Sequence, residues 1–141
     1  MQPKRLSATL SVAAQIGVDD VATLAAQGFR SLINNRPDGE AAGQPDSVLI
    51  ATMAARHGMT YRYLPVISGQ VQDADVEAFA QALAALPTPT LAFCRTGTRC
   101  TMLWALDVVR SQPLADVLHT AAVAGYDLDG LRSRLLQASP R

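Results

Sequence analysis

The sequence predicts an α/β domain built on a mainly parallel sheet of four to five strands, and three observations carry that expectation. Short β-branched or apolar runs alternate with stretches of helical period along the chain. The recurring order of strand, helix and strand favours parallel neighbours joined by right-handed crossovers, with helices covering both faces of the sheet. With 141 residues, 49% of them hydrophobic, and no low-complexity tract, the chain suits one domain, residues 1–141, with a substantial core.

Taken in order, Ser7 to Val12 alternates weakly as a short strand, and "VDDVATLAAQ" sets Val18, Val21, Ala22 and Ala25 on one helical face that Gly28 ends. "FRSLINN" is apolar and β-branched enough for a buried strand, and "RPDGEAAGQPDS" is a turn-rich loop. Asp46 or Ser47 caps the helix "SVLIATMAARHG", which stops at Gly58. "TYRYLPV" is the third strand. Asp73 caps a helix in which Val76, Phe79, Ala80 and Leu83 share a face. "PTPTLAFC" is the fourth strand, and a helix runs from about Thr98 to Ser111 before Pro113 breaks the chain. Ala115 to Leu136 reads as two further short helices hinged near "AGYDLDG".

Charge and cysteine content narrow the function. The formal net charge is zero, with both signs scattered, so the chain carries no electrostatic footprint for nucleic acid or an anionic membrane. No apolar run is long enough to span a bilayer, and "MQPKRLSATLSV" has no apolar segment of the signal-peptide kind. The expected location is the cytoplasm, where Cys94 and Cys100 are free, catalytic or metal-bound rather than a structural disulfide. His57 and His119 lack a cysteine or carboxylate at ligand spacing, so no metal or other cofactor is expected, and Trp104 reads as core.

Ligands of open α/β sheets collect at the carboxyl ends of the strands, where "NNRPDGE" and "CRTGTR" both fall. The second loop, Cys94 to Arg99, can turn several backbone N–H groups inward, aided by Gly97, immediately before a helix N-terminus. Such a ring attracts an anion. A thiol at its base, with Arg95 and Arg99 nearby, favours the thiolate in an electropositive, part-exposed place, which makes Cys94 the candidate nucleophile. Cys100, inside the following helix, reads as packing, with a resolving role as the alternative. In "NNRPDGE", Pro37, Asp38 and Gly39 make a good turn with no function required; the functional reading puts Arg36 and Asp38 on the pocket rim, orienting Arg99 or meeting the substrate. Candidate site residues are therefore Cys94 and Arg99 as catalytic groups and Arg95, Thr96, Gly97, Thr98, Arg36 and Asp38 as binding groups.

"CRTGTR" resembles the active-site loop of rhodanese sulfurtransferases, and "YLPV", "VEAFAQAL" and "CRTGTRCTMLWAL" together resemble dual-specificity phosphatases. Taken from Leu6 to Leu136, with "INNRPDGE" and "AGYDL" in place, the chain looks like the phosphatase-like domain associated with beta-lactamase-hydrolase-like proteins. That resemblance implies a protein-tyrosine-phosphatase-like αβα sandwich and either phosphatase or sulfurtransferase chemistry. Three departures from the phosphatase pattern favour sulfur. Only four residues separate Cys94 from Arg99 where such phosphatases have five, so Cys100 stands in the arginine's place. After "YLPV" the sequence reads Ile67, Ser68, Gly69 where they place a general acid, a group worth roughly 10² to 10⁴ in rate, which leaves Asp38, Asp73 or Asp75 as the alternatives for that role. They also usually carry histidine where Phe93 precedes the cysteine.

The expected activity is therefore sulfur transfer through a Cys94 persulfide, from thiosulfate or a glutathione-persulfide type of donor to a thiol acceptor. The alternatives are a phosphatase working through a Cys94 phosphocysteine on a phosphorylated substrate, and a non-catalytic anion-binding module. Expected macromolecular partners are a second copy of the chain or a persulfide-processing enzyme.

Overall fold

A computed structural model describes residues 2–140. Five strands form one sheet: β1 (Lys4–Arg5), β2 (Leu10–Ala13), β3 (Ser31–Asn34), β4 (Thr60–Tyr63) and β5 (Thr90–Phe93). Their spatial order is β1-β2-β5-β3-β4, with β1 antiparallel to β2 and all other pairs parallel. The helices are α1 (Val18–Ala26), α2 (Ser47–Arg56), α3 (Asp73–Ala85), α4 (Thr98–Val108), α5 (Leu114–Val123) and α6 (Arg132–Ala138), the last preceded by a 3-10 turn, Asp129–Leu131.

Burial follows the pairing. Every residue of β3 and β5 is buried, as a parallel strand covered on both faces requires, whereas edge strand β4 is largely exposed. Side chains alternate between two cores. Leu91 and Phe93 of β5 pack with Leu32, Val21, Leu24 and Ile50 on the α1 and α2 side. Ala92 and Cys94 point the other way, with Ile33, Phe79, Leu103 and Trp104. The period of two thus puts the Cys94 side chain under α4, and Trp104 is core as expected.

The sequence missed β1, whose two residues are too short to show a pattern. The first predicted strand begins late, because the Ser7 hydroxyl accepts the N–H groups of Thr9 and Leu10 and turns the chain before β2. The third is also shorter, ending at Tyr63, although the N–H groups of Leu64 and Val66 still donate to the carbonyls of Asn34 and Asn35. At α3, Gln72 rather than Asp73 is the cap; its N–H donates to Asp75 Oδ2 at 2.9 Å.

The strand order fixes the site. Central β5 is inserted between β2 and β3, so the loop that follows it is flanked by the loops leaving both neighbours. Leu10, Ser11, Val12 and Ala13 stand opposite Thr90 to Phe93 on one side, and Ser31 to Asn34 stand opposite the same residues on the other. The three chains therefore leave the sheet level with one another.

Candidate active site

Cys94 is the first residue beyond β5, and its side chain is buried, with a residue exposure of 1%. The loop doubles back over it. Gly97, at φ +92°, turns its N–H onto Cys94 Sγ at 3.1 Å and opens α4. A side chain there is strained by this backbone angle, and an added Cβ would lie 2.1 Å from the Tyr126 hydroxyl oxygen. Tyr126, from "AGYDL", closes the loop from outside and donates to the Thr96 carbonyl at 3.2 Å. Thr101 fastens the helix start by donating its hydroxyl to the Gly97 carbonyl at 2.8 Å.

This setting depresses the Cys94 thiol to a pKa of about 5. The largest cause is a hydrogen bond from the Cys100 thiol; burial opposes it, and the backbone N–H groups of Cys100, Gly97 and Thr96 add to it. Cys100, fully enclosed in the first turn of α4, is pushed far the other way by burial and by the neighbouring Cys94 sulfur. One sulfur is a thiolate at neutral pH and the other keeps its proton.

Two expectations change here. The thiolate rests on a second thiol and on amides at a helix N-terminus, not chiefly on Arg95 and Arg99, and it is buried rather than part-exposed. Cys100 is more than packing, since its side chain is the leading cause of the lowered Cys94 pKa. Arg95 is exposed, and its carbonyl, not its guanidinium, is engaged, accepting the Gln15 N–H at 3.3 Å. Thr96 and Thr98 are exposed on the loop, their hydroxyls 3.0 Å apart.

Arg99, at the start of α4, is buried. Its Nη1 donates to Glu40 Oε2 at 2.7 Å and to the Val66 carbonyl at 2.9 Å, and its Nη2 donates to Glu40 Oε1 at 2.8 Å. Glu40 Oε1 also accepts Arg36 Nε at 3.0 Å, and Arg36 Nη1 donates to Gln15 Oε1 at 3.2 Å. A chain of side chains thus links the loops after β2 and β3 to the first turn of α4. The Arg99 hydrogen bond first, then that of Arg36 and both positive charges, hold the Glu40 carboxyl below its usual range despite partial burial. Arg99 is held more firmly protonated, first by Glu40.

Arg36 therefore meets Arg99 only through Glu40, and Asp38 does not orient Arg99. Asp38 Oδ1 instead accepts the Ser47 N–H at 2.8 Å, and the Asp38 N–H donates to the Tyr63 hydroxyl at 2.9 Å, which fastens the loop to α2 and β4. Glu40, Gln15 and Tyr126 are the residues sequence reasoning missed, and Cys100 is one it read first as packing. Glu40 lies within the quoted "NNRPDGE", but its contact with Arg99 spans 59 positions and depends on the β3–β5 register and on the loop that Gln44 and Ser47 fasten.

His57 and His119 are both exposed, one at the end of α2 and one on α5. Among the described residues no group of three histidine, cysteine or acidic side chains is arranged to hold a metal ion. Nor does any helix run long and apolar enough to cross a membrane.

The five-stranded αβα sandwich has the fold of protein-tyrosine-phosphatase-like structures. The profile of the family described as "Beta-lactamase hydrolase-like protein, phosphatase-like domain" matches residues 4–115, and the chain belongs to that family. It is 40% identical over 130 residues to the beta-lactamase hydrolase-like protein of Agrobacterium fabrum, which is 91% of this chain but 30% of that protein's length. The chain thus spans less than a third of this relative. It is also similar to the crystal structure of a candidate phosphatase of Neisseria meningitidis, at a TM-score of 0.87 and 34% identity over 95% of this chain and 96% of that one. The Pseudomonas aeruginosa protein TpbA, crystallised with phosphotyrosine, shares the fold at a TM-score of 0.67 and 19% identity over 97% of this chain and 81% of that one.

Proposed function

We propose that the chain is a cysteine-dependent phosphatase-type hydrolase that works through a phosphocysteine on Cys94. One observation carries the reading: a thiolate with a pKa of about 5 lies at the base of an amide-lined loop opening a helix, in a chain of the phosphatase-like family. The comparisons favour this reading over the sulfurtransferase expected from loop length.

Cys94 Sγ attacks phosphorus, the S–P bond forms and the P–O bond to the leaving group breaks. Loop amides, the partial positive charge at the start of α4, and Arg99 balance the charge on the phosphoryl oxygens. Arg99 has capacity left for this, since its Nε has no partner among the described residues. Glu40 holds the guanidinium plane. A water oxygen then bonds to phosphorus, S–P breaks, the water's protons pass to phosphate and solvent, and the thiolate is restored.

Leaving-group protonation is the weak point of the machinery. Ile67 to Gln72 contains no acid, and Glu40 is held ionised by two arginines. The reading therefore favours substrates whose leaving group departs as an anion: aryl phosphates, acyl phosphates and phosphoanhydrides. A series of aryl phosphates tests it. Phosphate release should rise steeply as the leaving phenol becomes more acidic and vanish in Cys94→Ser; no release from the most acidic phenol would sink the hydrolase reading.

A second reading keeps sulfur transfer, supported by the four-residue spacing of Cys94 and Arg99 and the missing acid. There the thiolate attacks the outer sulfur of thiosulfate, sulfite leaves, and Cys94 carries a persulfide. Intact mass after thiosulfate, showing one added sulfur lost on adding cyanide, would favour it.

A further inference from the structure

We propose that Arg36 and Arg99 form a two-point anion clamp and that the substrate is a phosphoanhydride: Arg99 serves the phosphoryl group that Cys94 takes, and Arg36 holds the phosphate that leaves. The inference rests on the hydrolase reading and narrows its substrate class. Arg36 is only 5% exposed, and it is tied to both ends of the loop that carries Cys94. Towards Arg95, its Nη1 donates to Gln15 Oε1 at 3.2 Å, and the Gln15 N–H donates to the Arg95 carbonyl at 3.3 Å. Towards Arg99, its Nε donates to Glu40 Oε1 at 3.0 Å, the same oxygen that accepts Arg99 Nη2 at 2.8 Å. The Arg36 backbone is fixed as well, its N–H donating to Asn34 Oδ1 at 2.9 Å where Asn34 stands opposite Phe93.

Each arginine keeps one nitrogen spare. Arg36 Nη2 and Arg99 Nε donate to no described residue. Asn35 Oδ1 is the only side-chain nitrogen or oxygen among the described residues that is both enclosed and unpartnered, so the two spare nitrogens reach open space. Charge points the same way. Two guanidinium groups share the Glu40 carboxylate, and Asp38, two residues before it, is turned to the Ser47 N–H. One positive charge is thus left that no described carboxylate of the network offsets, and a second anionic group on the substrate would match it. The reaction then closes without an acid. Cys94 Sγ attacks the terminal phosphorus; the S–P bond forms, the bridging P–O bond breaks, and its electron pair stays on the departing phosphate. A phosphate monoester takes its second proton at a pKa of about 6, so at neutral pH it leaves as an anion and needs no proton from the chain. Arg36 offsets the charge that develops on it.

The first test reads binding rather than turnover. Alkylation of Cys94 by iodoacetamide is followed with methylphosphonate or methylenediphosphonate present, a single and a paired phosphonate that cannot be cleaved. The paired ligand should protect at concentrations about tenfold lower or less, as a second charge-assisted contact requires. Arg36→Gln should bring the two ligands level. Equal protection by both in the wild type would overturn the proposal, as would weaker protection by both in Arg36→Gln with their ratio kept, since Arg36 would then act only through Glu40. Arg95→Gln removes an equal charge from the exposed rim, and a preference lost as fully there would show general charge attraction and also overturn it. Should Arg36→Gln not fold, judged by its melting curve, the wild-type ratio and Arg95→Gln decide. The second test is turnover: phenyl diphosphate should release phosphate about tenfold faster or more than phenyl phosphate, whose poor leaving group has no acid to help it. No release from the diphosphate while acidic aryl phosphates are cleaved overturns the substrate class alone. If those are not cleaved either, the hydrolase reading is what fails, and the protection ratio still decides the clamp.

Discussion

Cys94 is held by backbone amides and a second thiol, whereas Arg99 is held by side chains and a carbonyl from loops elsewhere in the chain. The sulfur side of the site is local: Cys94, Thr96, Gly97 and Cys100 lie within one turn of chain, and the geometry follows once α4 forms. The charge side is assembled at long range, with Glu40, Gln15 and Val66 brought in by strand register. The nucleophile's acidity should therefore survive changes in the charged network, while the grip on an anion should not. Loop backbone, by contrast, is where the sulfur side breaks.

The largest effect is expected at Gly97. An alanine there must hold φ +92° and place Cβ 2.1 Å from the Tyr126 hydroxyl, at a cost of roughly 2–4 kcal/mol in stability, with loss of rapid Cys94 alkylation. Adding Tyr126→Ala should relieve only the clash, and melting of the single and double variants would separate the contributions.

Next comes Arg99. Losing the planar guanidinium in Arg99→Lys should lower turnover of an aryl phosphate by roughly 10² to 10³, with alkylation of Cys94 little changed. Glu40→Gln leaves two arginines sharing a neutral partner, and should cost about 1–2 kcal/mol in stability and about tenfold in turnover. If alkylation falls in step with turnover in these variants, the two sides of the site are not independent.

Acidity gives a pH signature. The folded Cys94 pKa, about 5, lies below the value of 9.0 for an unperturbed thiol, so folding releases a proton between those limits. Stability should rise with pH from about 5 to about 9 and be lost as pH falls through 5; Cys94→Ser should flatten that slope. Alkylation of the wild type should be half-maximal near pH 5, and removing the leading cause with Cys100→Ala should move that midpoint upward. The smallest effect belongs to Arg95. Its side chain is exposed at the rim, so Arg95→Ala should shift stability by less than about 0.5 kcal/mol and alter mainly the salt dependence of KM.

What could be read beforehand divides along the same line. The strand and helix order, the buried central strands and the candidate nucleophile of the loop follow from periodicities and from residues adjacent in sequence. "CRTGTR" before a helix states its own geometry because glycine, amides and thiol lie within one turn. Asp38, which the functional reading puts on the rim, instead ties its turn to Ser47 and Tyr63. Glu40 carries no local mark, since its partner is fixed by how β3 and β5 align and by the loop that Gln44 and Ser47 fasten. Cys100 read as core because it is core; its contact with Cys94 depends on how far Gly97 turns the loop.

The central claim is that Cys94 is the covalent nucleophile of a phosphatase-type hydrolase. The most direct measurement mixes the chain with an aryl phosphate bearing a very acidic phenol, quenches in acid within milliseconds, and weighs the tryptic peptide that ends at Arg95. The predicted result is one phosphoryl group on Cys94 that decays as inorganic phosphate appears and never forms in Cys94→Ser. Phosphate release without a phosphorylated cysteine, or release that persists in Cys94→Ser, would contradict it.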